Sequence, residues 1–297
     1  MGPPHELLDA LVAEGAARGL RALDEAGDLT RMLPELEAGR GFRQPELHYF
    51  DVLGHNLAAV EALDVALGNG PDNAALREAL GWLDLDASLE REIEGLPLLA
   101  LTRLGALLHD VAKPHTATVI EERLRFPRHG PRGAELISER LPALGFGPEA
   151  TAFVAKMARY HLRPRELIRA WPVTDRAVRR FVHDLDGHVL PLMLVNLADG
   201  MATQGPRYTR EHYRRHCAFV NYVAARSWAA FEPVDGAESP LLTGDDLIGE
   251  LRVESGRLVG AVLTSVRQAQ LDGAISKRDE AVALARSVLA TLRAETS

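Results

Sequence analysis

The sequence predicts an all-α fold: a helical core carrying one small β-hairpin, with additional helices at both ends. Three observations point to it. Apolar residues recur at helical spacing along most of the chain, beginning with Leu7, Leu8, Leu11 and Val12. Clusters of glycine and proline at 39–45 and 68–97 separate these runs. A single pair of β-prone runs stands out, Thr116–Ile120 and Arg123–Phe126 around Glu121-Glu122.

Each element follows in order. Residues 5–27 suit an amphipathic helix with a soft break near Gly15 and Gly19. Met32-Leu33-Pro34-Glu35-Leu36 leads into an irregular loop, Gly39 to Pro45. A helix over about 46–67 carries Asp51 and His55 one turn apart on one face. His48, two turns before His55 on the same side, is an alternative ligand, but near the helix start it is expected to face solvent or cap the helix. Residues 68–97 read as a loop-rich linker with one short helix. The Asp84-Leu85-Asp86 inside it has the form of a nucleotidyltransferase metal pair but lacks the glycine-rich turn before it, so a solvated turn is expected. An apolar helix then ends at His109 and Asp110, with Pro114 stopping it. The hairpin delivers His129-Gly130 to a helix at 131–141, and the next helix, 148–161, ends in His161 before the break at Leu162-Arg163-Pro164. Thr174 is the expected N-cap of a helix at 174–185. The helix at 187–201 is apolar almost all round and contains Asp199. Helices at 209–228, 255–271 and 276–293 complete the chain, the last opening on a capping-box-like Ser276-Lys277-Arg278-Asp279. The expected organisation is an N-terminal helical segment (1–45), a central domain (46–230) and a C-terminal helical tail (231–297) packed on it.

Composition narrows the function. A chain of 297 residues with 46% apolar and 26% charged side chains can bury a substantial core as a soluble protein. A net charge of −8 argues against a surface that coats nucleic acid indiscriminately, while leaving room for a local arginine patch. Cys217 is the single cysteine, which excludes an internal disulfide and a cysteine-based zinc site. The start, Met1-Gly2-Pro3-Pro4, has no basic-then-apolar signal, and the apolar run from Leu96 to Leu108 is interrupted by Arg103 and too short to span a bilayer. The expectation is a cytoplasmic protein with no membrane partner.

The chemistry centres on Leu107-Leu108-His109-Asp110-Val111-Ala112-Lys113-Pro114. Neighbouring residues on a helix project about 100° apart, so His109 and Asp110 reach one point only where both converge at its end. An imidazole beside a carboxylate is a mixed nitrogen and oxygen pair suited to Mn, Fe, Co, Ni, Zn or, less well, Mg. Such a dipeptide is common by chance; its company makes it informative. His55 lies upstream, and His129, His161 and Asp199 downstream, each within or at the end of an expected helix. A lone carboxylate in a segment as apolar as 187–201 needs a partner, because unpaired burial costs several kcal/mol.

This ordered pattern resembles the HD superfamily of metal-dependent phosphohydrolases. More narrowly, Phe50–Leu57, Leu107–Pro114, Phe126–Gly130, Pro240–Leu247 and Gln268–Gly273 look together like the C-terminal HD region of bacterial CCA-adding tRNA nucleotidyltransferases, from roughly residue 20 onward. The nucleotidyltransferase head of those enzymes has no counterpart in the sequence, so the expectation is that nucleotide addition is not inherited and the phosphohydrolase half is. The resemblance implies a first metal held by His55, His109, Asp110 and Asp199, and a second sharing Asp110 and completed by His129 and His161. It implies one or two divalent ions among Mn, Ni, Co, Fe and Mg, and a nucleotide or RNA-end substrate. tRNA is the implied partner, and a homo-oligomer stays open. Activity on 2′,3′-cyclic ends is expected, with 2′-nucleotidase or phosphatase activity beside it.

Asp110 and Lys113 are the candidate catalytic residues. Lys113 would contact a substrate phosphate or aid the leaving group, against the plainer reading that it answers a helix dipole. Arg132, Arg163 and Arg165, just beyond His129 and His161, could grip a phosphate bidentately. Arg176, Arg179 and Arg180 read as a solvated helix face. His5, His115, His183 and His188 read as ordinary surface or core residues, and His212 and His216, four apart, match a helical metal pair without a third ligand nearby. A non-catalytic RNA-binding or partner-docking module is the alternative; a costly His and Asp cluster favours the enzyme.

Overall fold

The computed structural model describes residues 2–68, 70, 74–169, 173–231, 241–242, 244–249, 251, 262–263, 265–266, 269–270 and 273–294. Most of the expected 255–271 helix, and Pro240, Thr243, Gln268, Leu271 and Asp272 of the resemblance segments, lie outside them.

The helical expectation holds. The chain forms α1 (His5–Val12), α2 (Ala16–Glu25), α3 (Asp28–Met32), a 3-10 turn at Pro34–Gly39, α4 (Val52–Leu67), α5 (Ala74–Ala79), α6 (Leu85–Glu90) and α7 (Leu98–Leu108). It continues through α8 (Lys113–Thr116), α9 (His129–Ala143), α10 (Pro148–Tyr160), α11 (Arg163–Arg169), α12 (Asp175–Asp184), α13 (Val189–Gln204) and α14 (Arg210–Phe231), then α15 (Gly244–Gly249) and α16 (Arg278–Ala294). The expected hairpin is present, Thr118–Ile120 pairing antiparallel with Arg123–Arg125. A second one, Glu92–Ile93 with Leu96–Pro97, was not expected. Its strands are too short to alternate, and its turn rests on left-handed Glu94 and Gly95.

Several boundaries shift for local reasons. The first helix breaks fully: α1 ends where Ala13 turns extended, and left-handed Gly15, with a φ of 72°, starts the next. Helix α4 begins at Val52 because Asp51 caps it, accepting from the Gly54 amide at 2.6 Å. Asp84 likewise caps α6 through the Ala87 amide, and Asp86 pairs with Arg77, so neither serves a metal pair. Pro114 opens α8 rather than stopping α7, and Pro164 sits in the first turn of α11. Thr174 caps α12 as expected. The box at α16 is closed by Glu280, not Asp279, through the Ser276 and Lys277 amides.

The described chain divides into two compact units, residues 1–172 with 188–225, and residues 173–187 with 226–297. In the first, α4, α7, α10 and α13 pack on one another, with α9 along α10 and the N-terminal helices against α4 and α7. Helices α4 and α13 bury residues on nearly every side, which is why their sequences lack a polar face. Arg103 is buried among them, its guanidinium on Asp64 at 2.7 Å and on the Leu11 carbonyl. The second unit has its own apolar cluster of Leu242, Leu247, Val262, Val266, Ala281, Ala285 and Leu289. No described helix is long and apolar enough to cross a membrane.

Candidate metal centre

Helix ends and buried helix faces of the first unit bring six chemically expensive side chains together. His55 comes from the first turn of α4, His109 and Asp110 from the end of α7, and His129 opens α9. His161 closes α10 and Asp199 lies on α13. None is more than 7% exposed. All six residues expected as ligands therefore meet.

They form two groups that share Asp110. In the first, Asp110 Oδ2 lies 3.2 Å from both His55 Nε2 and His109 Nε2, which are 3.1 Å from each other. Asp199 Oδ1 joins them at 3.3 Å from His55. In the second, Asp110 Oδ1 lies 3.2 Å from His129 Nε2 and 3.5 Å from His161 Nε2, which are 3.1 Å apart. These are the groups among the described residues whose donor atoms lie close enough to hold a metal ion.

The backbone sets the imidazoles' protonation. His109, His129 and His161 each give Nδ1–H to the carbonyl three residues earlier, on Ala106, Phe126 and Ala158, at 2.6–2.8 Å. Two of these carbonyls belong to helix ends that lack intrahelical partners. Each ring thereby turns Nε2 toward the centre, as in metal-ligating histidines oriented by a carbonyl. In the second group the Nε2 atoms of His129 and His161, both with Nδ1 committed to a carbonyl, are 3.1 Å apart, a contact that repels unless a cation lies between them. Asp110 Oδ1 is buried with no hydrogen-bond donor, facing both of them. A divalent ion suits this donor set.

The charges agree. Burial alone would raise Asp110, but Lys113 and His109 hold its carboxyl well below the usual range. Burial likewise opposes, and His109 and His55 overcome it, at Asp199, which also accepts from Thr203 Oγ1 at 3.0 Å. His109 is lowered by burial yet pulled up to about 10 by Asp110 and Asp199, whereas burial takes His161 down to about 3. The two buried carboxylates thus draw positive charge onto this spot, which is what a cation would supply.

Lys113 is buried on the same carboxylate, its Nζ 2.5 Å from Asp110 Oδ2 and 2.7 Å from Gln44 Oε1. His48 Nε2 is 3.3 Å from that nitrogen, and burial, then Lys113, lowers His48 to about 4. His48 neither caps a helix nor simply faces solvent; it sits in the loop before α4, over the centre. Phe126 supports Lys113 from below, ring centroid 5.5 Å from Nζ. Asp51 lies outside the centre, its second oxygen taken by the Gly41 amide.

The arginines are placed differently. Arg132 is exposed and paired with Glu135 at 2.7 Å, Arg163 reaches Glu166 at 3.7 Å, and Arg165 is exposed on α11. His212 and His216 form no metal pair. His216 instead bonds Asn196 Oδ1 and the Tyr208 hydroxyl, each at 3.0 Å, and Asn196 donates to the His161 carbonyl. Gln44, Asn196 and Thr203 went unrecognised in the sequence, and His48 was noticed there but given a solvent-facing or capping place. Thr203, one turn after Asp199, and Asn196, a polar residue in an apolar helix, left a readable signal.

The chain matches the family model for the HD domain over residues 86–202, a span that contains five of these six residues and begins after His55. It is 31% identical over 280 residues to the A-adding tRNA nucleotidyltransferase of Deinococcus radiodurans, covering 93% of this chain and 55% of the relative. It is 30% identical over 279 residues to the CC-adding tRNA nucleotidyltransferase of Thermus thermophilus, covering 93% and 54%. A multifunctional CCA protein of Halorhodospira halophila is 29% identical over 174 residues, covering 57% and 34%. The chain spans about half the length of the first two relatives.

Proposed function

Residues 86–202 of this chain are an HD domain, the mark of a metal-dependent hydrolase family, and on that premise we propose that the protein opens 2′,3′-cyclic phosphates of nucleotides and RNA ends, tRNA among them. The observation that carries this is Asp110, whose two oxygens face two donor groups at 3.2 Å each. His55, His109, Asp110 and Asp199 would hold one ion, and Asp110, His129 and His161 a second. Divalent ions there, of the Mn, Ni, Co, Fe or Mg kind, supply charge neutralisation at phosphorus and activate the attacking water.

The chain's own groups do the rest. Lys113, anchored on Asp110 and Gln44, places an ammonium beside the centre, where it meets a phosphate oxygen or gives a proton to the departing sugar oxygen. A P–O bond forms to water, one ring P–O bond breaks, and the freed sugar oxygen takes a proton. Ring strain makes this ester easier to open than a linear one. Monoesters such as 2′-nucleotides are the slower companions.

The test is a panel of 2′,3′-cyclic, 3′,5′-cyclic and 2′-nucleotides with Mn, Ni, Co and Mg, before and after chelation. The five-membered cyclic ester should lead, and Asp110→Asn should lose about a hundredfold or more, several kcal/mol of transition-state stabilisation. Preference for the 3′,5′ ring, or a fully active Asp110→Asn, would overturn the assignment.

A further inference from the structure

Resting on that reading, we infer that the root of the 118–125 hairpin is a phosphate-binding ridge that seats the RNA strand behind the reacting end, so that the preferred substrate is an oligonucleotide rather than a free mononucleotide. The ridge consists of Arg123, Arg125 and Arg128. All three are exposed. Among the described residues none of their guanidiniums has an ion pair or hydrogen bond. By contrast, Arg31, Arg40, Arg77, Arg103 and Arg140 are each taken up by a carboxylate. Three such cations within six residues make a local positive patch on a chain of net charge −8, suited to an external anion.

Their placement supplies direction. Strand pairing sets Thr118 opposite Arg125 and Ile120 opposite Arg123, so the two arginines lie on one face, two residues or about 6.6 Å apart. That spacing is of the order of successive phosphates in an extended strand. The next residue after Arg125 is Phe126, whose ring supports Lys113 and whose carbonyl fixes His129. Arg128 directly precedes His129 and holds a left-handed φ of 57° at the start of α9. A non-glycine residue there is strained, and such strain persists where the surroundings or the function require it. The ridge therefore ends at the metal ligands. At its far end Glu121 and Glu122 form the hairpin tip and would repel further phosphates, limiting the footprint to a few nucleotides. Guanidinium forks suit phosphate oxygens and carry no base preference.

The test compares an eight-nucleotide RNA ending in a 2′,3′-cyclic phosphate with 2′,3′-cyclic AMP, on wild type and on a triple variant, Arg123→Gln with Arg125→Gln and Arg128→Gln. Wild type should favour the oligonucleotide through a lower KM, and the variant should lose that preference about tenfold or more while cleaving the mononucleotide as before. Fluorescence anisotropy of a labelled, uncleavable RNA of the same length gives a second readout that needs no activity. Binding should weaken in the variant, and its salt slope should flatten by about two, ~0.7 for each phosphate that is no longer gripped. Replacement by Lys at all three positions should restore most of the binding. Equal RNA binding by wild type and variant, or an oligonucleotide cleaved no better than the mononucleotide, overturns the ridge. Loss of cleavage of every cyclic substrate with RNA binding intact would instead sink the assigned reaction and leave the ridge standing.

Discussion

At the scale of single residues, the centre depends on which imidazole nitrogen carries the proton. Because three Nδ1–H groups are committed to carbonyls, Nε2 is left for the ion. His129→Ala with His161→Ala should therefore halve the metal bound per chain, since His55, His109 and Asp199 keep their own group. Elemental analysis of the purified double variant decides it; unchanged stoichiometry would mean these two rings meet the substrate instead. His216 offers a different residue-scale consequence. Burial, with Asp199 opposing and Arg165 assisting, lowers it from 6.5 to about 4. Its folded pKa is depressed, so between pH 6.5 and 4 the unfolded chain binds more protons than the folded one. Stability is then full above 6.5 and falls as pH drops toward 4, by up to about 3 kcal/mol. Thermal melts of wild type against His216→Gln should show a shallower acid decline in the variant; parallel curves would refute this role.

At the scale of elements, glycine lets α9 and α10 approach at the point where His129 and His161 meet. A Cβ on Gly130 would lie 2.9 Å from the Arg159 carbonyl oxygen and 3.0 Å from that of Ala158, backbone atoms with nowhere to go. Gly130→Ala should cost about 1–3 kcal/mol and weaken the second metal group more than the first, read as substoichiometric metal in a folded variant. A variant with wild-type stability and full loading would show that the helices can separate without consequence. This scale also separates what was readable in the sequence from what was not. The six donors were legible because each is a polar residue set in or against an apolar run, where burial without a partner is prohibitive. His48 and Gln44 were not, since their burial arises only when the 42–51 loop folds across Lys113, a long-range event that no local spacing encodes. Arg132 looked well placed by its position three residues after His129, yet spacing does not say that Glu135 takes its guanidinium.

For the whole molecule, an ion in the first group would tie α4, α7 and α13, three helices distant in sequence, so it should stabilise the fold as well as serve chemistry. A ligand that binds only the folded state at a hundred times its Kd adds about 2.7 kcal/mol. For a unit of this size that raises Tm by about 5–10 °C. Melts with chelator and with added Mn or Ni test this without any substrate, and a Tm indifferent to both would argue against a resident ion. The span of the donor set has one more consequence, which concerns biosynthesis. His55 and Asp199 are 199 − 55 = 144 residues apart. At roughly 5–20 residues per second, a ribosome needs on the order of ten seconds to pass from one to the other. The first group cannot be complete until Asp199 has emerged and α13 has docked. An ion in this group would thus enter late, from the metals the surrounding fluid offers, and the same chain made in two metal regimes is expected to emerge with two different occupants, which elemental analysis of the two preparations checks.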